Sequence, residues 1–383
     1  MTDAGPSPII VRGENDRLFD SEGRSYIDLF SAHGTAWLGH ANPAVGEAIT
    51  RQLREVWNTG AISTPIREQA REAVEAFFPD AHRLAGFYST GMEAAEFALR
   101  MARIHTGRRR LIGFEHAMHG KSLATAALGW DNDWNLGSTD LVRLRFVDAM
   151  HEYRLTPRLE RELSLRDVAA VIVEPIQASH GGYEATRDFY QSLHKLCVET
   201  GTLLVFDEIL TGLWRTGEPF YFRGQGLRPD VVLIGKGLGG GFPVSAVAVD
   251  QNIAIEPRML PTSTFAGNSL AAAAVAAALG EMRRLELPAR VAAIAMCVRE
   301  SLDPLAQHGV ALRGRGALWV LEMPAGVDMP RLLKDVYEHG VAIGGAGRFI
   351  RLLPAATIVP ENLRQACEVL SNAILRQLAE RHA

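Results

Sequence analysis

Near its start the chain carries short runs of strand character, Ile9 to Val11, Arg17 to Asp20 and Tyr26 to Leu29, and they lead into a helix that Pro43 opens at its first turn. From about residue 60 to 265 the pattern changes. Apolar runs at Leu84 to Phe87, Leu111 to Phe114, Ala169 to Val173, Leu203 to Phe206 and Val231 to Ile234 read as strands buried on both faces. Between them lie segments of helical spacing, among them Glu93 to His105 and Arg187 to Thr200, the second of which stops at Gly201. Strands alternating with helices predict an α/β fold: a mainly parallel central sheet with helices on both faces. After Asn268 the pattern is helix-rich, with further strands near Ala317 to Glu322 and Phe349 to Leu352. The small-apolar run Ala271 to Leu279 falls far short of the roughly 20 residues a bilayer crossing needs and reads as a buried helix. These shifts divide the chain into residues 1–59, which join a smaller α+β domain, a large domain over 60–267, and residues 268–383, which complete the small one.

Composition narrows the class. A chain of 383 residues with 47% hydrophobic and 22% charged residues buries a large core and is not disordered. A formal charge of −4, with both signs interspersed, offers no basic face for nucleic acid. Cys197, Cys297 and Cys367 lie far apart and form no C-x-x-C pair, so neither a disulfide framework nor a zinc cluster is expected, and a reducing compartment fits. The segment Met1 to Pro8 has no basic region followed by an apolar one. A soluble cytoplasmic protein without metal, nucleic acid or membrane partners is the expectation.

Three places break the local pattern. The run Leu203-Leu204-Val205-Phe206 ends in Asp207-Glu208, two carboxylates at the carboxyl end of a buried strand, where open α/β sheets bind ligands. Burying them unpartnered costs several kcal/mol, so a cationic partner is implied, unless Asp207 merely caps the following turn. The run Pro229 to Ile234 ends in Gly235-Lys236-Gly237. A desolvated lysine there suits covalent attachment to a carbonyl and proton transfer, with Gly237, Gly239, Gly240 and Gly241 letting the backbone pass close to a bound ring; a surface lysine in a flexible turn is the other reading. Third, Tyr88-Ser89-Thr90-Gly91-Met92-Glu93 joins a strand to a strong helix, either as a phosphate site at the helix start or as a plain N-cap. All three fall at strand ends of one sheet.

Taken together these segments resemble the class III pyridoxal-phosphate aminotransferases along most of the chain. Thr90-Gly91-Met92-Glu93-Ala94-Ala95 is similar to that family's phosphate-binding turn, and Asp207-Glu208-Ile209-Leu210-Thr211-Gly212 with Arg215-Thr216-Gly217 to its aspartate segment. Lys236 matches its Schiff-base lysine, and Ser263-Thr264-Phe265-Ala266-Gly267-Asn268 its loop whose threonine reaches across a dimer interface to the partner's cofactor phosphate. Leu38-Gly39-His40-Ala41-Asn42-Pro43 and Val173-Glu174-Pro175-Ile176-Gln177 are similar too. The resemblance implies a fold type I enzyme using pyridoxal 5'-phosphate, with Asp207 on the pyridine nitrogen and Lys236 as proton carrier. It places Thr90, Gly91, Met92, Met118, His119, Glu174, Ile209 and Thr264 around the cofactor. Met118 stands where the family usually has an aromatic ring, and Ile209 covers the opposite face. Arg351 resembles the clamp for the donor's carboxylate, Lys121 falls where some relatives hold an arginine for a distal carboxylate, and His33 aligns with a pocket aromatic. Ser179 occupies the place of a glutamate that masks that arginine in some relatives. Transfer from a small amino donor to a ketone or aldehyde acceptor by a ping-pong mechanism, in a homodimer, follows from the resemblance. An intramolecular aminomutase and an inactive cofactor-fold binding protein are the alternatives.

Rival motifs fail on context. Gly235-x-Gly237-x-x-Gly240 follows a strand but leads to Phe242-Pro243 and the strand-like Val244 to Val249, not into the helix that a dinucleotide fingerprint opens. Gly120-Lys121-Ser122 lacks the first glycine of a P-loop, because position 115 is Glu115. His116-x-x-His119 has no third metal ligand at a useful spacing.

Overall fold

A strand buried on both faces needs two cores, and the central sheet has them. The computed structural model of the chain describes residues 8–78, 81–129, 140–146, 157–256, 258–260 and 263–380; most of the N-terminal segment read above for targeting lies outside them. Seven strands form the sheet in the order His82–Tyr88, Ser245–Asp250, Val231–Ile234, Leu203–Asp207, Val168–Val173, Arg110–Phe114 and Leu141–Leu144. Pairing is parallel from Val231–Ile234 to Leu141–Leu144, whereas Ser245–Asp250 runs antiparallel to both of its neighbours. Along Leu203–Asp207 the side chains alternate: Leu204 and Phe206 join one hydrophobic core, Leu203 and Val205 the other. Val231–Ile234 does the same, with Val232 and Ile234 on the first side and Val231 and Leu233 on the second.

Each face is covered by a helix whose ends are written in the sequence. Helix Gly91–Thr106 lays Ala94, Ala95, Ala98, Leu99, Met101 and Ala102 on one side. Thr90 caps its start by accepting the Glu93 N–H at 3.1 Å, and Gly107 ends it in the left-handed conformation at φ 69°. Helix Arg187–Thr200 covers the other side with Phe189, Tyr190, Leu193 and Cys197, between the Thr186 cap and a left-handed Gly201 at φ 65°.

Outside the central sheet, Ile10–Glu14, Arg17–Asp20 and Ser25–Asp28 form an antiparallel set that Val341–Ala342 extends in parallel, so the two ends of the chain share a sheet. Ala311–Arg315, Leu318–Glu322, Phe349–Leu352 and Gly344–Ala346 form a second four-stranded sheet. Helices Leu287–Leu302 and Pro360–Glu380 pack against each other, the second also touching Ser25–Asp28 and Val341–Ala342, and helix Ser269–Arg284, which contains the run read as a buried helix, packs on Pro43–Gln52 and Pro65–Glu75. Among the described residues no helix is long and apolar enough to cross a membrane. Leu141–Leu144 and Ala311–Arg315 escape the sequence pattern because both are edge strands of mostly half-buried residues, in which no continuous apolar run is required.

Candidate active site

The carboxyl ends of the central strands bring the predicted residues together. Asp207, 2% exposed, ends its strand with Oδ2 2.7 Å from Nδ1 of the equally buried His119, and its Oδ1 accepts the Ile209 N–H at 3.2 Å. The proton on Nδ1 is donated to the Asp207 carboxylate. Glu208 turns elsewhere. Its carboxylate accepts the Thr211 hydroxyl at 2.7 Å and the amides of Tyr221 and Phe222 at 3.0 and 2.9 Å. Burial holds the Glu208 carboxyl up at about 7 against those three bonds, so it ties a turn in place rather than awaiting a cation.

Lys236 follows the neighbouring strand in a left-handed conformation, φ 44°, a strained position for a residue with a side chain. Burial lowers the pKa of its amine, the Glu174 and Asp207 carboxylates pull it back up, and Arg215 and Arg351 press it down further. Glu174 shifts the other way: burial and Asp207 raise it, while His119, the Met118 amide and Lys236 oppose. The Met118 N–H donates to Glu174 Oε2 at 3.0 Å, which ties the loop bearing Met118 and His119 to the strand end bearing Glu174.

Around this centre stand the remaining candidates. Thr90 is the N-cap that the plainer reading allowed, and the first helical bond runs from the Ala94 N–H to the Thr90 carbonyl, so the Gly91 and Met92 amides precede it and take no part in the helix. A Cβ on Gly91 would sit 2.7 Å from Cδ1 of Ile209, and one on Gly235 would sit 3.1 Å from its Cγ2, so the two glycines make room for the Ile209 side chain. Beyond Lys236 the structure corrects the sequence reading of the glycines: Cβ atoms at Gly237, Gly239 and Gly240 would meet Trp37, Val244 and Val45, so these glycines serve close packing of the protein against itself.

On the opposite side Arg351 lies over the Phe30 ring at 5.0 Å, and the same ring touches His33 at 4.4 Å. Burial lowers the Arg351 pKa against the pull of Glu174. His33 is exposed, yet the protein around it and then Arg351, Lys236 and Lys121 lower its pKa, which places four basic groups about one spot. The His33 loop is itself strained, with Ser31, Ala32 and His33 all at positive φ, and it is pinned by Asp28 Oδ1, which accepts the Phe30 and Ser31 amides at 2.7 and 2.9 Å. Neither Phe30 nor Asp28 carried a sequence signal, since both read as ordinary strand-end residues. Thr264 stands apart: it is exposed, and its carbonyl accepts the Asn58 side chain at 2.8 Å. Met92 is 39% exposed. Arg215, whose place in the aspartate segment hinted at the site, is buried and structural, donating to the Ala317, Pro354 and Gly34 carbonyls at 3.3, 2.8 and 2.9 Å over the Trp37 ring.

Several groups here are built for something not of this chain. Among the described residues, His119 Nε2, Gln177 Oε1 and Arg351 Nε are buried side-chain atoms without a hydrogen-bond partner. Such atoms each cost about 1–3 kcal/mol unless a ligand or water meets them. Two spare amides at a helix start, a buried carboxylate, a lysine whose pKa burial lowers and a half-buried guanidinium suit a phosphorylated aromatic aldehyde and a carboxylate substrate.

Comparison with known proteins agrees. Over 371 residues the chain is 32% identical to the [LysW]-aminoadipate semialdehyde/glutamate semialdehyde transaminase of Sulfolobus acidocaldarius, covering 96% of this chain and 95% of that one. It is 33% identical over 388 residues to the acetylornithine aminotransferase of Corynebacterium efficiens, covering 98% and 94%. Its fold is that of fold type I enzymes: a crystal structure of the ornithine aminotransferase from Toxoplasma gondii matches with a TM-score of 0.89 at 26% identity, over 100% of this chain and 93% of that one. Residues 3–374 match the family described as aminotransferase class-III; the chain belongs to that family, and it is a pyridoxal-phosphate-dependent aminotransferase acting on small-molecule amino donors and carbonyl acceptors.

Proposed function

We propose that this enzyme moves an amino group between an α-amino acid and the terminal aldehyde of a carboxylate-bearing semialdehyde, in two half-reactions of the ping-pong type. The substrate class is supported by the names of the relatives, which join acetylornithine and semialdehydes of acidic amino acids. The observation that carries the reading is the Lys236 amine, held below its ordinary pKa by burial beside two buried carboxylates. When bound, pyridoxal phosphate supplies an electron sink for the charge left on a substrate carbon that loses its proton. Lys236, through its neutral amine, would hold the cofactor aldehyde, and it would carry the proton away from the substrate carbon and return it. Asp207 would hold the proton on the pyridine nitrogen, and His119 fixes the carboxylate that would do so. Glu174 sets the charge of Lys236 from the side.

The Gly91 and Met92 amides, in the turn that Thr90 caps, would hold the phosphate, and Met118 and Ile209 would cover the ring. Arg351 takes the α-carboxylate of the substrate, Lys121 a distal one, and His33 walls the pocket between them. Thr264 acts across a homodimer interface. Trp57, Ile62 and Phe265, at 57%, 73% and 66% exposed, flank it and form the apolar surface such an interface covers. Three free cysteines fit the cytoplasm. Borohydride reduction in the presence of the cofactor tests the centre: it should tag the peptide holding Lys236, and an untagged peptide refutes the assignment. Parallel double-reciprocal lines test the two half-reactions, and a labelled donor separates transfer to a second molecule from migration within one. A screen of carbonyl acceptors against the aminated enzyme then ranks semialdehydes against keto acids.

A further inference from the structure

The loop bearing Met118 and His119 is joined to the strand bearing Arg351 through a chain of rings. The His116 and His180 rings lie nearly parallel, 8° apart with centroids separated by 3.7 Å, and the Phe349 ring lies 4.9 Å from that of His180. His116 stands two residues before Met118, at φ 69°, and its N–H donates to the Gly129 carbonyl at 2.7 Å. Phe349 opens the strand Phe349–Leu352, so Arg351, two residues on, projects from the same face about 6.5 Å further along. We propose that His180 is a positioning residue for transamination: through Phe349 it fixes the Arg351 guanidinium at the distance from the cofactor loop that the substrate's α-carboxylate requires. The inference rests on the reading of Arg351 as the carboxylate clamp.

The turn that carries His180 is built to hold a ring in place. Ile176 and Gln177 pair with Glu184 and Tyr183, and the Gln177 carbonyl accepts the His180 and Gly182 amides at 3.1 and 3.0 Å. On the cofactor side Gln177 Nε2 donates to the Glu115 carbonyl at 2.9 Å, beside the His116 stack. On the other side a Cβ on Gly182 would sit 3.0 Å from Cβ of Val320, which is the register partner of Arg351 and shares its face. Arg313 adds a bond from Nη1 to the Gly181 carbonyl at 3.3 Å and lies over the Tyr183 ring at 4.7 Å. The turn is therefore seated on the face from which Arg351 projects. Arg351 cannot fix itself by its Nε, which is buried without a partner among the described residues, so the packing beneath its strand sets where the guanidinium stands. Stacked rings transmit a separation through their flat faces, and a phenyl ring can do the same. Without the His180 ring the cofactor loop keeps its ties through Gln177 and Glu174, which confines the loss to the Arg351 side.

The test follows the cofactor-loaded enzyme with the fastest α-amino acid donor found by screening and, separately, with hydroxylamine, which attacks the bound cofactor without needing a carboxylate. His180→Ala should raise KM for the donor by about tenfold, with kcat within about threefold and the hydroxylamine rate within about twofold of wild type. His180→Phe, which keeps the stack, should return KM to within about threefold of wild type. In Arg351→Ala, adding His180→Ala should change KM by less than about twofold, because the group through which His180 acts is gone. Phe349→Leu removes the other ring contact and should repeat the first pattern, which decides the matter if His180→Ala does not fold. Equal losses with both reagents, no recovery in His180→Phe, or a fully additive loss in the double variant each overturns the proposal. If Arg351→Ala alone leaves KM unchanged, the carboxylate clamp itself is wrong; if Arg351→Ala raises KM and His180→Ala does not, the clamp stands and the role of His180 alone falls.

Discussion

Exchanging Glu174 for Gln removes one charge from the centre and little else. The amide oxygen of Gln can still accept the Met118 N–H that Glu174 accepts at 3.0 Å, so the loop bearing His119 stays anchored. What changes is the field on Lys236, where Glu174 is the strongest of the groups that favour the charged amine. Two unit charges about 5 Å apart at an effective dielectric of about 20 interact by about 3 kcal/mol. At about 1.4 kcal/mol per pH unit that is about two units if Glu174 is fully ionised. Glu174 is not, because burial and Asp207 raise its own pKa towards the pH at which Lys236 titrates, and Asp207 remains behind to support the amine. A downward displacement of about one unit is therefore expected. The cofactor-free enzyme reports it directly, since only the neutral amine attacks the aldehyde: the rate of pyridoxal phosphate uptake, followed by absorbance across pH, has its midpoint at the Lys236 pKa. Glu174→Gln should move that midpoint to lower pH and leave the plateau rate within a small factor. A midpoint that stays put, or moves up, refutes the claim that Glu174 sets the charge of Lys236.

Other perturbations test separate parts of the site. Gly91→Ala forces a methyl against Ile209 at 2.7 Å, so cofactor affinity measured by titration should fall by about tenfold or more, and the double variant Gly91→Ala/Ile209→Val should recover much of the loss. Arg351→Ala should raise KM for carboxylate donors by about 30-fold or more, from the loss of about 2–3 kcal/mol of charged hydrogen bonding, while an amine donor without a carboxylate shows no such change in steady-state kinetics. Arg215→Lys cannot span the Gly34, Ala317 and Pro354 carbonyls at once, and urea unfolding should show about 2–4 kcal/mol less stability. Glu208 has a folded pKa of about 7 above its ordinary 4.5, so its contribution to stability is present below the ordinary value and lost as pH rises through about 7. Unfolding midpoints of Glu208→Gln and wild type, compared between pH 4.5 and about 7, should show a flatter pH slope in the variant, and equal slopes over that range would refute the shift.

Much of this was legible because the functional residues violate the rules of the elements that carry them. An acid closing Leu203–Asp207 and a lysine closing Val231–Ile234 are costly where they stand, and the cost is visible without coordinates. Helix Arg187–Thr200 was legible to the residue because a helical stripe ends on a glycine that adopts positive φ. The Asp207 to His119 bond was not: it joins side chains 88 positions apart, and neither residue type implies the other. The glycines after Lys236 were misread for a related reason, since what they make room for, Trp37, Val45 and Val244, comes mostly from distant segments.

Asp207 and Glu208 show where that boundary runs. Identical in charge and adjacent in the chain, both read as ligand-seeking acids. Alternate residues of a strand project to opposite faces, so at the strand's end the two carboxylates are sent apart. Asp207 is delivered to His119 and the strand ends that bear Glu174 and Lys236. Glu208 is delivered to the turn through Thr211 and the start of the short helix at Tyr221, which satisfy it completely enough that no cation is needed. The difference in role is thus a consequence of the strand's two-residue period. It becomes visible only once the partners on each face, set by the packing of segments remote in sequence, are in place.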